Sequence, residues 1–165
     1  AWVGQGNALR KSQQSEAAIA AFAEAIALKP EDPLAVFNRG TAKADCTDLP
    51  GAISDYDQAL ALKPDFAKAA LRRGQLLQQM GDHREAIAAF DQVIELNGAD
   101  TGDAGYSKAV SHSAQGETEL AIAALKTALA SGNFQGQAQQ DPALAPLQDL
   151  PAFQALFQGP EGPQS

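Results

Sequence analysis

Two cationic side chains, Lys68 and Arg72, have the type and spacing best suited to binding chemistry in this sequence. They are four residues apart, and residues four apart in a helix lie on the same face, one turn from each other. Two converging positive charges suit an anion, and a chain-terminal carboxylate accepts several charge-assisted hydrogen bonds. The first chemistry that the sequence indicates is therefore anion binding.

Sequence patterns for catalysis are absent. There is no HExxH string, no paired cysteine spacing and no glycine-rich phosphate loop, and His83 and His112 are far apart in the sequence. Cys46 is the only cysteine and lies in a stretch typical of a turn. Asp55 and Asp57 are expected on outer helical faces, as solvated charges. We therefore predict that the protein is not an enzyme and that it holds no metal and no cofactor.

The composition excludes further classes of protein. A net charge of -8 and a pI near 4.6 argue against a nucleic-acid partner, because phosphate binding needs a concentrated Lys/Arg surface. The apolar stretches end before the roughly 18 residues that a membrane helix needs, so no membrane insertion is expected. The single cysteine favours a reducing soluble compartment such as the cytoplasm. Because the sequence starts at Ala1 rather than Met, an upstream targeting or anchoring segment is an open alternative.

The elements that would position these side chains repeat along the chain. The string EAAIAAFAEAIALKP, ending at Pro30, recurs in altered form ending at Pro64, Gly98 and Asn133, so successive copies are offset by 34, 34 and 35 residues. A period in this range is typical of stacked helical arrays. Small residues recur at three places in each copy: Gly6, Ala18 and Ala25; Gly40, Ala52 and Ala59; Gly74, Ala86 and the slightly larger Val93; Ala109, Ala121 and Ala128. Small side chains at helical spacing let two antiparallel helices approach closely.

Larger apolar residues complete this core pattern. One equivalent position holds Phe22, Tyr56, Phe90 and Leu125, and another holds Leu28, Leu62 and Leu96. Gly81 and Gly116 suit positions just past a helix end. The periodicity and these breaks predict helices near residues 2–12, 16–28, 33–45, 50–62, 67–80, 84–96, 103–114 and 118–131.

The repeat resembles the tetratricopeptide-repeat (TPR) family over residues 2–133. In the first copy the resemblance is carried by Trp2, Gly6, Leu9, Ala18, Phe22, Ala25 and Pro30. It implies an all-α protein, a right-handed α-solenoid of four helix-turn-helix pairs at residues 2–32, 33–66, 67–100 and 101–133. Gly98 and Asn133 replace the proline that usually ends a repeat. Gly102 and Gly105 are expected to fray the first helix of the fourth pair, because glycine weakens a helix interior.

A cap is expected after the last pair, because a stack of repeats exposes apolar surface at its ends. Residues 134–158 are predicted to form this C-terminal helical cap, with a proline near a helix start after Asp141 and after Leu150. The residues expected to cover the last pair are Leu144, Leu147, Phe153, Leu156 and Phe157. Residues 159–165 are predicted to be a disordered tail.

In the TPR family the first helix of each pair lines a concave groove. This resemblance assigns peptide binding to Asn7, Lys11, Phe37, Asn38, Thr41, Lys68, Leu71, Arg72, Gln75 and Tyr106. The same surface includes Val3, Arg10 and Asp45.

Four of these residues, namely Asn7, Asn38, Lys68 and Arg72, are similar to the carboxylate clamp of TPR co-chaperones, which holds the acidic C-terminal tails of heat-shock chaperones. Their successive spacings are 31, 30 and 4 residues. A fifth clamp member, a lysine, is replaced by Val3, and Asp45 adds a negative charge near the pocket. The resemblance therefore implies a clamp that lacks one of its cations.

Two kinds of function follow from these observations. The first is a protein-interaction module, co-chaperone-like or an adaptor, that binds an extended acidic or C-terminal peptide. The alternative is a scaffold or assembly factor that docks a folded protein, a membrane-complex subunit or a second copy of itself, and it is motivated by Phe37, Leu71 and Tyr106 along the groove. An accessory domain of a larger protein is a third interpretation.

Overall fold

The computed structural model describes residues 1–132 and 134–158, so the repeat end predicted at Asn133 and the tail predicted at 159–165 lie outside the described residues. The elements are, in chain order, α1 (Trp2–Lys11), α2 (Ser15–Leu28), α3 (Pro33–Asp45), α4 (Leu49–Leu62), α5 (Ala67–Met80), α6 (His83–Glu95), α7 (Thr101–Ala114), α8 (Thr118–Ser131), α9 (Gln135–Gln140), a 3-10 turn (Pro142–Leu144), α10 (Ala145–Gln148) and α11 (Pro151–Gln154). Within the described ranges there is no strand. The prediction of an all-α protein is confirmed, and the first eight helices begin and end within about two residues of the predicted ranges.

Two helices of the first half begin at an aspartate that has a proline one or two residues after it. Asp32 accepts hydrogen bonds from the backbone amides of Leu34, at 3.0 Å, and Ala35, at 3.3 Å, before α3. Asp48 accepts from the amide of Gly51, at 3.0 Å, in the first turn of α4. These side chains satisfy amides that have no partner within the helix, and the proline needs none. Local capping therefore sets where α3 and α4 start.

The turn inside each helix pair places one residue in the left-handed region. These residues are Gln13 (φ 59°), Thr47 (φ 63°), Gly81 (φ 88°) and Gly116 (φ 73°), spaced by the repeat period. Glycine adopts this conformation without steric cost, whereas other residues are strained there. The prediction of glycine just past a helix end is thus confirmed for two pairs, and the other two make the same turn with strained residues.

Contacts divide the chain into two compact units, Ala1–Leu77 and Gln78–Ser165. In the first unit α1 packs on α2, α2 on α3 and α3 on α4. Its core includes Phe22, against which a side chain at Gly6 would clash, since a Cβ there would lie 2.6 Å from the ring. All twelve of the small residues that repeat in phase are buried. The prediction that they let paired helices approach closely is confirmed.

The larger residues of the pattern separate into two groups. Phe22, Tyr56, Phe90 and Leu125 are fully buried, as predicted. Leu28, Leu62 and Leu96 are exposed, Leu28 by 72%, so their assignment to the core is wrong. Leu28 and Leu62 are the last residues of α2 and α4, and Leu96 follows α6. No further turn of the same helix covers these ends, so the repeat register overstates their burial.

Asp55 also differs from its predicted place. It is 2% exposed and accepts hydrogen bonds from Arg39, at 2.9 and 2.7 Å, while the Lys43 Nζ lies 3.0 Å from its Oδ2. The hydrogen bond to Asp55 is the main reason that the pKa of Arg39 is raised. Asp57 is exposed as predicted, although it pairs with Arg73. Asp55 is therefore an internal charge that ties α4 to two cations of α3, not a solvated one.

In the second unit α6 packs on α7, and α7 packs on α8. The residues after α8 join the same core: Leu144, Leu147 and Phe153 are buried against it, and Leu156 and Phe157 are partly buried there. The prediction that these five side chains cover the last helix pair is confirmed. The covering segment is divided into short pieces because Pro142, Pro146 and Pro151 each interrupt it.

The first helix of this last pair is not frayed. α7 runs without a break from Thr101 to Ala114, and both Gly102 and Gly105 are buried. A Cβ at Gly105 would lie 2.9 Å from the backbone nitrogen of Ala128 in α8. The expectation of fraying is wrong because the glycine allows α7 and α8 to approach closely, which compensates for its low helix propensity.

None of the helices described is long and apolar enough to cross a membrane. The division into four repeats and a separate cap stays a prediction.

Candidate functional site

Three polar stripes in the first unit contain most of the side chains that the sequence singled out. Within each helix they lie three or four residues from another member of the stripe, which places them on or beside one face. The stripes are Asn7, Arg10 and Lys11 on α1; Asn38, Thr41 and Asp45 on α3; and Lys68, Arg72 and Gln75 on α5.

The buried ring of Tyr56, from α4, lies beneath the α3 stripe. Its hydroxyl donates to the Thr41 Oγ1 at 3.3 Å, and the Thr41 hydroxyl donates to the backbone carbonyl of Phe37 at 3.0 Å. The Phe37 ring packs against those of Tyr56 and Phe66, with centroid separations of 5.5 and 4.9 Å. Phe37 and Thr41 are half-buried, so they form a floor rather than free binding groups.

Charges from all three stripes act on the Tyr56 hydroxyl. The pKa of Tyr56 is raised, mainly by burial, and the hydrogen bond with Thr41 opposes this change. The positive charges of Arg72 and Arg10 also lower this pKa, whereas the negative charge of Asp45 raises it. Coulomb effects weaken with distance, so each of these charged groups lies within range of the Tyr56 hydroxyl. The charges of Arg10, Asp45 and Arg72, each from a different helix of the unit, therefore all act on the hydroxyl that is hydrogen-bonded to Thr41.

The amide of Asn38 is the most unusual polar group of this surface. Its residue is only 8% exposed, yet its side chain makes no hydrogen bond to any residue that the structure describes. Both polar atoms of the amide keep some contact with solvent. Buried polar side chains nearly always have a partner, so Asn38 keeps a donor and an acceptor available for a bound group.

The cations of α5 are open to solvent. Arg72 donates from its Nη1 to the Oε1 of Gln75 at 3.0 Å, which holds the guanidinium along the helix. Lys68 is exposed and forms no ion pair in the part of the chain that the structure describes. Asn7 and Lys11 on α1 are half-buried and exposed. The predicted residues of α1, α3 and α5 therefore provide three cations and three amides on the stripes: Lys11, Lys68 and Arg72, and Asn7, Asn38 and Gln75.

Two predicted binding residues belong to the protein interior. Leu71 is buried in α5, although it lies three residues after Lys68 and four before Gln75. Tyr106 is buried in the second unit, where its ring stacks on Phe134 at 5.5 Å and its hydroxyl donates to Asp141 at 2.5 Å. Burial and this hydrogen bond raise the pKa of Tyr106. Packing within each unit therefore covers most of both side chains, and their part in peptide binding stays a prediction.

The sequence analysis missed two features of the site. Arg10 and Asp45 form an ion pair, with the Arg10 Nε 3.0 Å from the Asp45 Oδ2, and Tyr56 contributes a hydroxyl in addition to a core ring. The positions carried a signal, since Arg10 follows Asn7 by three residues and Asp45 follows Asn38 by seven. Helical spacing places both on the stripes, but it does not show that they pair.

The residues described contain no group of three or more His, Cys, Asp or Glu side chains that could hold a metal ion.

The fold defines a helical-repeat protein whose helices α1, α3 and α5 carry three polar stripes. Family models support a narrower class: residues 71–138 match a model described as tetratricopeptide repeat, and residues 6–45 match one described as TPR repeat. The chain belongs to the tetratricopeptide-repeat family. This fold is a protein-interaction fold without catalytic machinery of its own, and protein–protein interaction is the general role that it supports.

Solved structures agree with this assignment. The chain is similar to MamA, with 21% identity and a TM-score of 0.76 over 82% of this chain and 79% of that one. It is also similar to residues 41 to the end of MamA from Desulfovibrio magneticus RS-1, with 20% identity and a TM-score of 0.78 over 88% and 81%. At this identity the likeness shows the fold alone.

A third solved structure is the first TPR of Spaghetti (RPAP3) bound to the HSP90 peptide SRMEEVD. It has 27% identity and a TM-score of 0.56, and the match covers 58% of this chain and 75% of that one. No curated protein sequence matches the chain.

Proposed function

We propose that the first unit binds the end of an extended acidic peptide through its terminal carboxylate, on the surface formed by the stripes of α1, α3 and α5. The observation that carries this proposal is the Asn38 amide on α3, which is largely buried and makes no hydrogen bond within the described residues, together with the exposed cations Lys68 and Arg72 on α5. An amide with an unused donor and acceptor is costly to bury, and a bound peptide end would satisfy it.

The chemistry of the surface suits a carboxylate better than a neutral group. Lys68 and Arg72 supply positive charge from one face of α5, and the amides of Asn7 and Asn38 supply uncharged donors from α1 and α3. A hydrogen bond to a charged group contributes about 1.5–3 kcal/mol when it is partly shielded from water. A few such bonds, less the cost of ordering the peptide, correspond to micromolar affinity, or about 8 kcal/mol.

The comparison with RPAP3 supports the same class of ligand. The peptide bound to that TPR, SRMEEVD, contains two glutamates and ends in aspartate. We take this peptide, with a free C-terminal carboxylate, as the probe for the chain and call it the probe peptide below.

Removing either α5 cation is expected to weaken binding. Lys68→Ala or Arg72→Ala should each lower the affinity for the probe peptide by about tenfold or more, because one charge-assisted bond is lost. Isothermal titration calorimetry measures the affinity, and far-UV circular dichroism checks that helicity is unchanged. The matched control is Lys126→Ala, which removes an exposed cation of α8 in the second unit and should leave the affinity unchanged.

Equal affinities for wild type, Lys68→Ala and Arg72→Ala would contradict the proposed role of α5. If the wild-type protein does not bind the probe peptide, the scaffold alternative, in which the partner is a folded protein, is favoured instead. The groove residues that motivated that alternative do not favour it, since Leu71 and Tyr106 are buried and Phe37 packs in an aromatic cluster.

A further inference from the structure

The ion pair between Arg10 and Asp45 joins the α1 stripe to the α3 stripe. The two side chains are 37% and 43% exposed, and the Arg10 Nε lies 3.0 Å from the Asp45 Oδ2. Exposed pairs of this kind are weak, because water competes for both charges and ordering two side chains costs entropy. The pair is therefore easily exchanged for another partner of the same chemistry.

The pair also lies beside the surface assigned to the peptide. Arg10 follows Asn7 by three residues on α1, and Asp45 follows Thr41 by four on α3. Both charges reach the same Tyr56 hydroxyl that the charge of Arg72 reaches. A carboxylate bound near this hydroxyl would therefore be within range of both the positive charge of Arg10 and the negative charge of Asp45.

Asp45 carries the same functional group as the proposed ligand. A guanidinium offers five donors in a planar fork and binds carboxylates with directional hydrogen bonds, so Arg10 can accept a peptide carboxylate in place of Asp45. Position 3, one turn before Asn7, holds the uncharged Val3. The cations of the α1 stripe are therefore Arg10 and Lys11, which follow Asn7 by three and four residues.

The geometry points to an autoinhibitory contact: Arg10 is a ligand-binding cation of the site, and Asp45 occupies it while the site is empty. This inference rests on the proposed function and adds a residue and a regulation to it. An incoming carboxylate takes the place of Asp45 on Arg10, so the acidic peptide binds more weakly than it would to an unoccupied Arg10. Removal of the Asp45 charge releases Arg10 and also ends a repulsion with the peptide.

The test compares variants of the pair in the full chain, with calorimetric titration of the probe peptide. Asp45→Asn keeps the size of the side chain and should raise the affinity about two- to fivefold, the range that an exposed ion pair accounts for. Arg10→Ala should lower the affinity about fivefold or more, and Arg10→Lys should restore part of it, because a charge without the fork remains. Asp57→Asn makes the same charge change in the ion pair between Asp57 and Arg73, and it should change the affinity little.

Several outcomes would overturn the inference while leaving the proposed function in place. If Lys68→Ala and Arg72→Ala weaken binding but Asp45→Asn weakens it too, Asp45 contacts a cationic group of the peptide and does not compete with its carboxylate. If Asp45→Asn and Asp57→Asn raise the affinity equally, the effect is general electrostatics and not release of Arg10. If neither wild type nor Asp45→Asn binds the probe peptide, the proposed function fails and the inference fails with it.

Discussion

At the residue scale, Asn38 separates a structural role from a binding role. Its side chain is largely buried and its amide makes no hydrogen bond within the described residues, so in the empty protein only water can pair with it. If Asn38 served only for packing, an apolar side chain of similar size would give equal or greater stability. If Asn38 serves for binding, the same replacement lowers the affinity for the ligand.

We therefore expect Asn38→Leu to raise the free energy of unfolding or leave it unchanged, and to lower the affinity for the probe peptide by about tenfold. Urea denaturation measures the first quantity and calorimetric titration the second. The reverse pattern, with stability reduced by more than about 1 kcal/mol and affinity unchanged, would assign the amide a structural role.

Individual residues also show which features could be predicted from the sequence and which could not. Position along a helix placed Asn38, Thr41, Lys68 and Arg72 on shared faces, because helical geometry alone determines that. It did not place Asp55, which the repeat register put on an outer face and which the structure buries between two cations. Pairing depends on how side chains of neighbouring helices meet, and a single sequence without homologues carries no direct signal for it.

At the element scale, the helix ends and turns follow from local chemistry. Aspartate followed by proline starts α3, the small residues in phase allow the pairs to form, and glycine ends two of the pairs' first helices. These features were predictable because each depends on a few neighbouring residues. The three exposed leucines were not, because their burial depends on whether another element extends past the helix end.

The turn at Thr47 gives a prediction of its own. Thr47 is β-branched and has a φ of 63°, whereas the equivalent residues of the later pairs are Gly81 and Gly116. Thr47→Gly should therefore raise the free energy of unfolding by about 1 kcal/mol, because the strain is relieved. The matched control is Thr41→Gly, inside α3, where the same change should destabilise through lost helix propensity and lost packing.

Thermal or urea unfolding of the two threonine variants measures the difference. A loss of stability in Thr47→Gly as large as that in Thr41→Gly would show that the left-handed turn is not strained.

At the scale of the whole molecule, an acidic chain concentrates cations and amides on one surface of its first unit. The net charge of -8 would repel an acidic ligand at long range, but salt screens such fields beyond about 8 Å in physiological conditions. Local contacts with Lys68, Arg72 and Arg10 then decide the affinity. The repeat period predicted the fold class, whereas the individual groups available for binding required the structure.

The most direct measurement of the central claim is a nuclear magnetic resonance titration that follows the side-chain amide signals of the asparagines. The probe peptide with a free carboxylate should shift the Asn38 and Asn7 amides strongly, and the same peptide with an amidated C-terminus should shift them little at equal concentration. Asn97, outside the site, should not respond to either peptide. Identical responses to both peptides, or shifts confined to the second unit, would contradict the claim that the first unit recognises a terminal carboxylate.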